Sequence, residues 1–266
     1  MDSAAESGFV IVSWWYVAGS ALLMLFVIVA IRWLSLDIGM PLLIGTIRCF
    51  IQLTAIGFVL EWAFAERFPA KLLLILVLMT AAAAHTAYTR QKWRAPWLGI
   101  RVFATLTLAV VLTMLPLLTL ILSLKPWYNP QYSIPIAGMV LSNSMNGLML
   151  FLERFYAELK NRTAEFEGYL SVGCNVWQSA LPMTRDAARS SLMPSINQLA
   201  VMGVVALPGM MSGQIIAGAP PIEAVKYQII IMYLLTGAIG FAVLLMVLQT
   251  TWLIKAAGAP IERSEG

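Results

Sequence analysis

The chain has 266 residues, 60% of them hydrophobic and only 11% charged, and its mean hydropathy is +0.82. A soluble domain carries roughly 45–50% apolar and about 25% charged residues, so this composition excludes one and specifies an integral membrane protein. The net charge of +4 does not point to nucleic acid, because the bases lie between apolar runs, where membrane orientation accounts for them.

Seven apolar runs are long enough, or nearly so, to cross a hydrocarbon layer of about 30 Å at 1.5 Å per helical residue. They fall at 9–31, 40–60, 72–88, 102–122, 134–151, 196–216 and 225–254. The runs are continuous rather than alternating, which argues for helices and against a β-barrel. The first run follows a start with Asp2 and Glu6 and no base, and it is too long for a signal-peptide core, so it reads as a retained span. Trp14, Trp15, Trp62, Trp93, Trp97, Trp127, Tyr128 and Trp252 flank the runs, as amphipathic rings do at the headgroup layer. The third and fifth runs are short, and the last is long enough to tilt or to extend beyond the bilayer. Cys49 lies in an apolar run and Cys174 in a loop, so the two cysteines give no disulfide framework.

The distribution of Lys and Arg sets the expected orientation. Arg32, Arg90, Lys92, Arg94, Arg101, Arg154, Lys160, Arg162, Arg185, Arg189, Lys255 and Arg263 share one side of a seven-span chain. The other side holds Arg67, Lys71, Lys125 and Lys226. The richer side is cytoplasmic by the positive-inside rule, which puts the N-terminus outside and the C-terminus in the cytoplasm.

Residues 153–194 concentrate the charge of the chain, from Glu153 and Arg154 to Arg189. Leu152, Phe155, Tyr156, Leu159, Phe166 and Leu170 recur at three- and four-residue steps, which predicts an amphipathic helix over 151–170 continuing from the fifth span. Glu158 and Arg162 form an i,i+4 pair on it. Gly168 and Gly173 loosen the chain at the end of that helix, and Pro194 with Ser195 is expected to open the sixth span. We expect this segment to be a cytoplasmic docking surface, with Glu165, Glu167, Leu170, Gly173, Arg185 and Arg189 in the coupling contacts.

Polar residues inside the apolar runs are the candidates for a pathway. Arg48 and Gln52 lie one turn apart on the second span and share a face. Arg48 either snorkels to the interface or joins an interior polar face. Asn143 and Asn146 stand in the fifth span among Gly138, Ser142, Ser144 and Gly147. An amide in hydrocarbon needs a partner, so both asparagines should face protein or water, either in helix packing or in a pore. In the sixth span Pro208 and Gly209 form a candidate hinge, followed by Met210, Met211, Ser212 and Gln214. Backbone groups freed at such a break are tolerated where they face protein or a wet cavity. The single histidine, His85, suits an interfacial hydrogen bond better than a metal site.

No catalytic set is present in the sequence: there is no His-Glu-x-x-His and no intramembrane pair of aspartates. The spans also lack a carboxylate well inside them, which argues against proton-coupled antiport. No Gly-x4-Gly-Lys-Ser/Thr phosphate loop occurs, so any ATP used must be bound by a separate chain. An internal repeat is not evident, which weakens an inverted-repeat carrier.

Two tracts resemble a known family. The first runs from Pro126-Trp127-Tyr128-Asn129-Pro130 through Ile134-Pro135, Gly138-Met139 and Asn143-Ser144-Met145-Asn146-Gly147 to Glu153-Arg154. The second holds Pro194-Ser195-Ile196-Asn197, Leu207-Pro208-Gly209-Met210-Met211-Ser212-Gly213-Gln214-Ile215, Ala217-Gly218 and Tyr227-Gln228. Both are similar to the FetB (YbbM-type) permeases of ABC exporters, and weaker likeness covers Ile47-Arg48 and Gln52-Leu53. The resemblance implies a permease subunit in the bacterial inner membrane, a FetA-like ATPase partner binding ATP and Mg, and iron export linked to oxidative-stress resistance. Plant relatives are tied to aluminium tolerance. The sequence departs from the family at Ser142, where glycine is usual, and at Gly173-Cys174, where Gly-Ala is usual. The expected molecule is thus an all-α polytopic membrane protein of about seven spans. It forms one permease domain, 1–266, which works as a homodimer with no cofactor of its own. An ATP-independent channel or secondary carrier for a metal ion or small metabolite is the alternative, and a membrane scaffold the third class.

Overall fold

The computed structural model describes residues 13–34, 38–65, 68–91, 97–121 and 128–257. Trp93 and Trp127, and the bases Arg67, Lys92, Arg94, Lys125 and Arg263 of the orientation count, lie outside them. The helices in chain order are α1 Trp14–Trp33, α2 Gly39–Ala65, α3 Pro69–Arg90, α4 Leu98–Pro116, α5 Pro130–Asn161, α6 Thr163–Ser171, α7 Val176–Val201, α8 Gly209–Ile216, α9 Pro221–Val247 and α10 Thr250–Ala257. A single π-helical turn, Leu117–Ile121, prolongs α4 just past Pro116, where a ring without an N–H disturbs the α-helical ladder. Among the described residues, six helices are long and apolar enough to cross a membrane: α1, α2, α3, α4 with its π-turn, α5 and α9. The protein is a multi-pass helical membrane protein.

Four expectations change in detail. The sixth run is not one continuous span: α7 ends at Val201, and residues 202–208 form a turn closed by a bridge between Met202 and Ala206. Gly203 takes φ +81° there, a conformation that suits glycine. Pro194 does not open a helix, since it sits within α7, which starts at Val176. The true start is an Asn175–Gln178 capping box, with the Gln178 N–H donating to Asn175 Oδ1 at 2.9 Å and the Asn175 N–H to Gln178 Oε1 at 3.0 Å. The helix expected over 151–170 breaks at Arg162 into α5 and α6. The last run ends as a helix at Val247 and resumes as α10 at Thr250.

The described residues fall into two compact units. One holds α1, α2 and Gly213–Pro220. Its two helices are strongly apolar, and Leu22, Leu23, Phe26, Ile44, Ile47, Ile51, Leu53 and Phe58 are exposed, as expected of surface that meets lipid. The other unit is built on α5, which packs against α3, α4, α7 and α9. The reason lies in the spacing: Ala137, Val140, Leu141, Leu148, Phe151, Leu152, Phe155 and Leu159 of α5 are buried, a 3.6-residue stripe wide enough to meet several neighbours. Leu98, Val102 and Leu106 of α4, Met183 and Ala187 of α7, and Ile239, Val243 and Met246 of α9 complete this core. Buried Gln91 at the end of α3 donates its amide to the Met149 carbonyl at 3.2 Å, so that polar group is not left unpaired.

Candidate functional site

The polar stretch of α5 faces α7 across a cleft of about 190 Å³, lined by Asn143, Asn146, Gly147, Leu150, Ser191, Pro194, Ser195, Gln198 and Ile239. The wall from α7 follows from its spacing: Ser191, Ser195 and Gln198 are at i, i+4 and i+7 and therefore share a face. Gly147 permits the close approach of α9 beneath the cleft. A Cβ on Gly147 would stand 2.6 Å from Ile239 Cγ2.

The hydrogen bonds within the walls decide what the cleft offers. Asn143 donates Nδ2 to the Met139 carbonyl at 2.8 Å, which leaves its Oδ1 as an acceptor. The Met139 oxygen can only accept, so the amide orientation follows from chemistry. Ser191, itself buried, donates Oγ–H to the Ala188 carbonyl at 2.8 Å and so also presents lone pairs. Pro194 contributes no N–H and cannot bond the Ser190 carbonyl one turn back. Every lining side chain is neutral. Among the described residues no three of His, Cys, Asp and Glu gather into a metal-binding group.

The remaining expected residues are placed elsewhere. Arg48 and Gln52 are exposed on α2, in the other unit. Pro208 ends the 202–208 turn and Gly209 opens α8. In α8, Met210 packs against the core, Met211 is buried, and Ser212 donates Oγ–H to the Pro208 carbonyl at 3.1 Å. Gln214 is half-buried and falls within Gly213–Pro220. Neither methionine lines the cleft.

At the charged end of α5, Arg162 is a hub. Its Nε and one terminal nitrogen grip both Glu165 carboxylate oxygens at 2.7 and 2.8 Å. The other terminal nitrogen bonds Asp186 of α7 at 2.9 Å, and Glu158 is farther away at 3.7 Å. The expected Glu158–Arg162 pair is thus the longest contact of the group. The hydrogen bonds from Arg162 hold the Glu165 carboxyl below its usual range against a smaller opposing effect of burial. Phe166, the next residue along α6, is buried in the core. Glu167, Arg185 and Arg189 are exposed, Leu170 is half-buried against the core, and Gly173 takes φ +92° in the turn into α7.

A second polar knot was not evident from the sequence. Arg101 of α4 donates to Gln249 Oε1 at 3.2 Å, and Gln249 donates Nε2 to Thr105 Oγ1 at 3.1 Å. The Arg101 guanidinium lies 3.6 Å over the ring of Trp252 on α10, a cation–π stack.

A family model described as an uncharacterised protein family, UPF0014, matches residues 14–253. The chain belongs to the UPF0014 family. Within it, the chain is 37% identical to the UPF0014 membrane protein YjkA of Bacillus subtilis over 80% of this chain and 85% of that one. It is 32% identical to the probable iron export permease protein FetB of Escherichia coli, over 74% and 75% of the two chains. The identity to the protein ALUMINUM SENSITIVE 3 of Arabidopsis thaliana is 31%, over 72% and 68%. No solved structure matches this UPF0014 chain.

Proposed function

We propose that this chain is the membrane permease of an ABC-type exporter, that its cargo is a metal ion with iron the first candidate, and that ATP is hydrolysed on a separate chain. The observation that carries the reading is the course of α7. Ten residues into this 26-residue helix, Asp186 is held by the Arg162 clasp against α6. Five residues on, about 7.5 Å along the axis, Ser191 begins the wall of the cleft. A push on α6 from a partner therefore reaches the cleft wall through one helix. The exposed Glu167, Arg185 and Arg189 supply a polar surface for that partner.

The likeness to a probable iron export permease supports the cargo, and the absent phosphate loop supports a separate ATPase. The proposed arrangement is a homodimer in the inner membrane with residues 153–194 in the cytoplasm. The N-terminus is then outside, the C-terminus inside, and the broken stretch α7–α8 serves as a seventh passage. Discontinuous helices at membrane depth suit a pathway because freed backbone groups can face water.

The test is co-purification from native membranes, followed by reconstitution into vesicles. The expected result is an ATPase bound to the chain and metal movement that needs ATP. Movement that proceeds equally without nucleotide, or with the ATPase deleted, sinks the proposal in favour of a channel or secondary carrier.

A further inference from the structure

We infer that the groove between α1 and α2 is a site for one anionic phospholipid, with an acyl chain lying in the groove and the headgroup phosphate on Arg32. The inference goes beyond the permease reading and does not depend on it.

The groove follows from how two neighbouring helices diverge. Val17, Ala21, Met24 and Ile28 line it from α1, at i, i+4, i+7 and i+11, so they form one stripe. Its α2 wall runs from Pro41 to Leu53. The helices are close at one end, where a Cβ on Gly39 would stand 4.0 Å from Arg32 Cβ. At Gly45, about 9 Å further along α2, a Cβ would meet nothing within 4 Å. The space left between them is about 720 Å³.

Three observations name the occupant. The first is size. Val17 to Ile28 covers about 16.5 Å of helix, a little more than one leaflet of a hydrocarbon layer about 30 Å thick. About 720 Å³ over that length is a cross-section of about 44 Å². That is roughly half the section of a helix 10–12 Å across with its side chains, so an acyl chain suits the groove better than a helix of a second copy. The second is the chemistry of the lining. Ser20 donates its hydroxyl to the Val17 carbonyl at 2.7 Å, and Thr46 donates to the Leu42 carbonyl at 2.9 Å. Both hydroxyl hydrogens are thus committed to their own helices, and the Cys49 thiol behaves as a small apolar group. The wall therefore meets its occupant as hydrocarbon. The third is charge. Arg32 follows Ile28 by one turn, in the last turn of α1, and is exposed. Among the described residues it has no carboxylate partner. Glu61 is the only acid in α1 or α2, about 33 Å along α2 from Gly39. A guanidinium takes phosphate through two parallel hydrogen bonds. An anionic headgroup leaves that attraction uncompensated, whereas a zwitterionic one carries its own cation.

Two measurements on the full chain test the inference. The chain is placed in nanodiscs of phosphatidylglycerol and phosphatidylcholine in equal parts, and retained lipid is counted by native mass spectrometry. One phosphatidylglycerol per chain should be retained in preference to phosphatidylcholine. Arg32→Gln should cut that preference about fivefold, the effect of one base at a membrane surface, and Arg32→Lys should keep most of it. Gly45→Leu, for which the groove has room, should expel lipid of either kind while the chain elutes as the parent does. In the second measurement, phosphatidylglycerol carrying a diazirine on its chain should label the α1–α2 groove above the other spans, and Gly45→Leu should remove that excess. Equal retention of the two lipids, a preference unmoved by Arg32→Gln, or labelling spread evenly over the spans overturns the inference. Disulfide cross-linking through Cys49 between copies also overturns it, and gives the groove to a second chain.

Discussion

A β-carbon on Gly147 would lie 2.6 Å from Ile239 Cγ2, closer than non-bonded carbons approach. The contact is at the floor of the cleft, so helix packing and the proposed pathway meet at one residue pair. Ile239 cannot swing away freely, because a β-branched side chain in a helix has one strongly preferred rotamer. Gly147→Ala should therefore push α5 from α9 and destabilise the protein by about 1–3 kcal/mol. Thermal unfolding in detergent measures this. The double variant Gly147→Ala, Ile239→Ala should recover most of the loss. A single variant that melts with the parent shows the contact to be soft.

Arg162→Ala should uncouple ATP hydrolysis from transport while moving the melting temperature little, since the clasp is solvent-screened. The readout is the ratio of cargo moved to ATP consumed. A charge exchange, Arg162→Glu with Asp186→Arg, should restore part of that ratio, and an unchanged ratio in Arg162→Ala removes the clasp from the coupling route.

The clasp also carries a pH expectation. Its Glu165 carboxyl is held below the usual value of about 4.3 by hydrogen bonds from Arg162. A depressed carboxyl contributes stability that is fully present above its unfolded value and is lost as pH falls through its folded value. Protease resistance of the α6–α7 turn should accordingly be flat from about pH 6 to 8, by this sign, and should fall only in acid below the usual glutamate range. A loss within the neutral range assigns the turn's integrity to some other group.

Release of α10 should follow from breaking the stack on Arg101. Arg101→Lys keeps the charge but loses the flat guanidinium that covers Trp252 at 3.6 Å. Hydrogen exchange across α10 should rise in Arg101→Lys and in Trp252→Leu, and the two effects should fail to add, with a coupling of about 0.5–2 kcal/mol. Additive effects show that the stack contributes nothing of its own.

The proposed seventh passage is open to test by labelling from one side of the membrane. With Cys49 and Cys174 replaced, Glu223→Cys should react with an impermeant thiol reagent applied outside, and Arg189→Cys only after permeabilisation. Both positions are exposed. Reaction of both from the same side shows that the chain between them does not cross.

Much of the fold was legible because a membrane span is a local signal. An uninterrupted apolar run has to be a helix in lipid, and all six long helices coincide with such runs. Asn143 and Asn146 stood out for the same reason, as amides in an apolar setting. Their partners did not. Ser191, Ser195 and Gln198 sit at the border of a charged segment, where small polar residues are ordinary, and only the packing of α7 on α5 makes them a wall. The i,i+4 rule selected Glu158 for Arg162, but the closer partners are Glu165 at i+3 and Asp186, which is 24 positions away. Proline is well tolerated at a helix start, which is what Pro194 suggests on its own, but α7 continues through it. The Arg101–Gln249 bond spans 148 positions, beyond the reach of any local pattern.

Pro194 leaves α7 one rung short within the wall of the cleft. Bending there sacrifices no backbone bond, because the bond was never available. The helix is consequently a jointed lever rather than a stiff rod. Its clasped stretch at Asp186 and its C-terminal end at Val201 need not travel together, and under the proposed coupling a displacement delivered at Asp186 would concentrate at the joint between them.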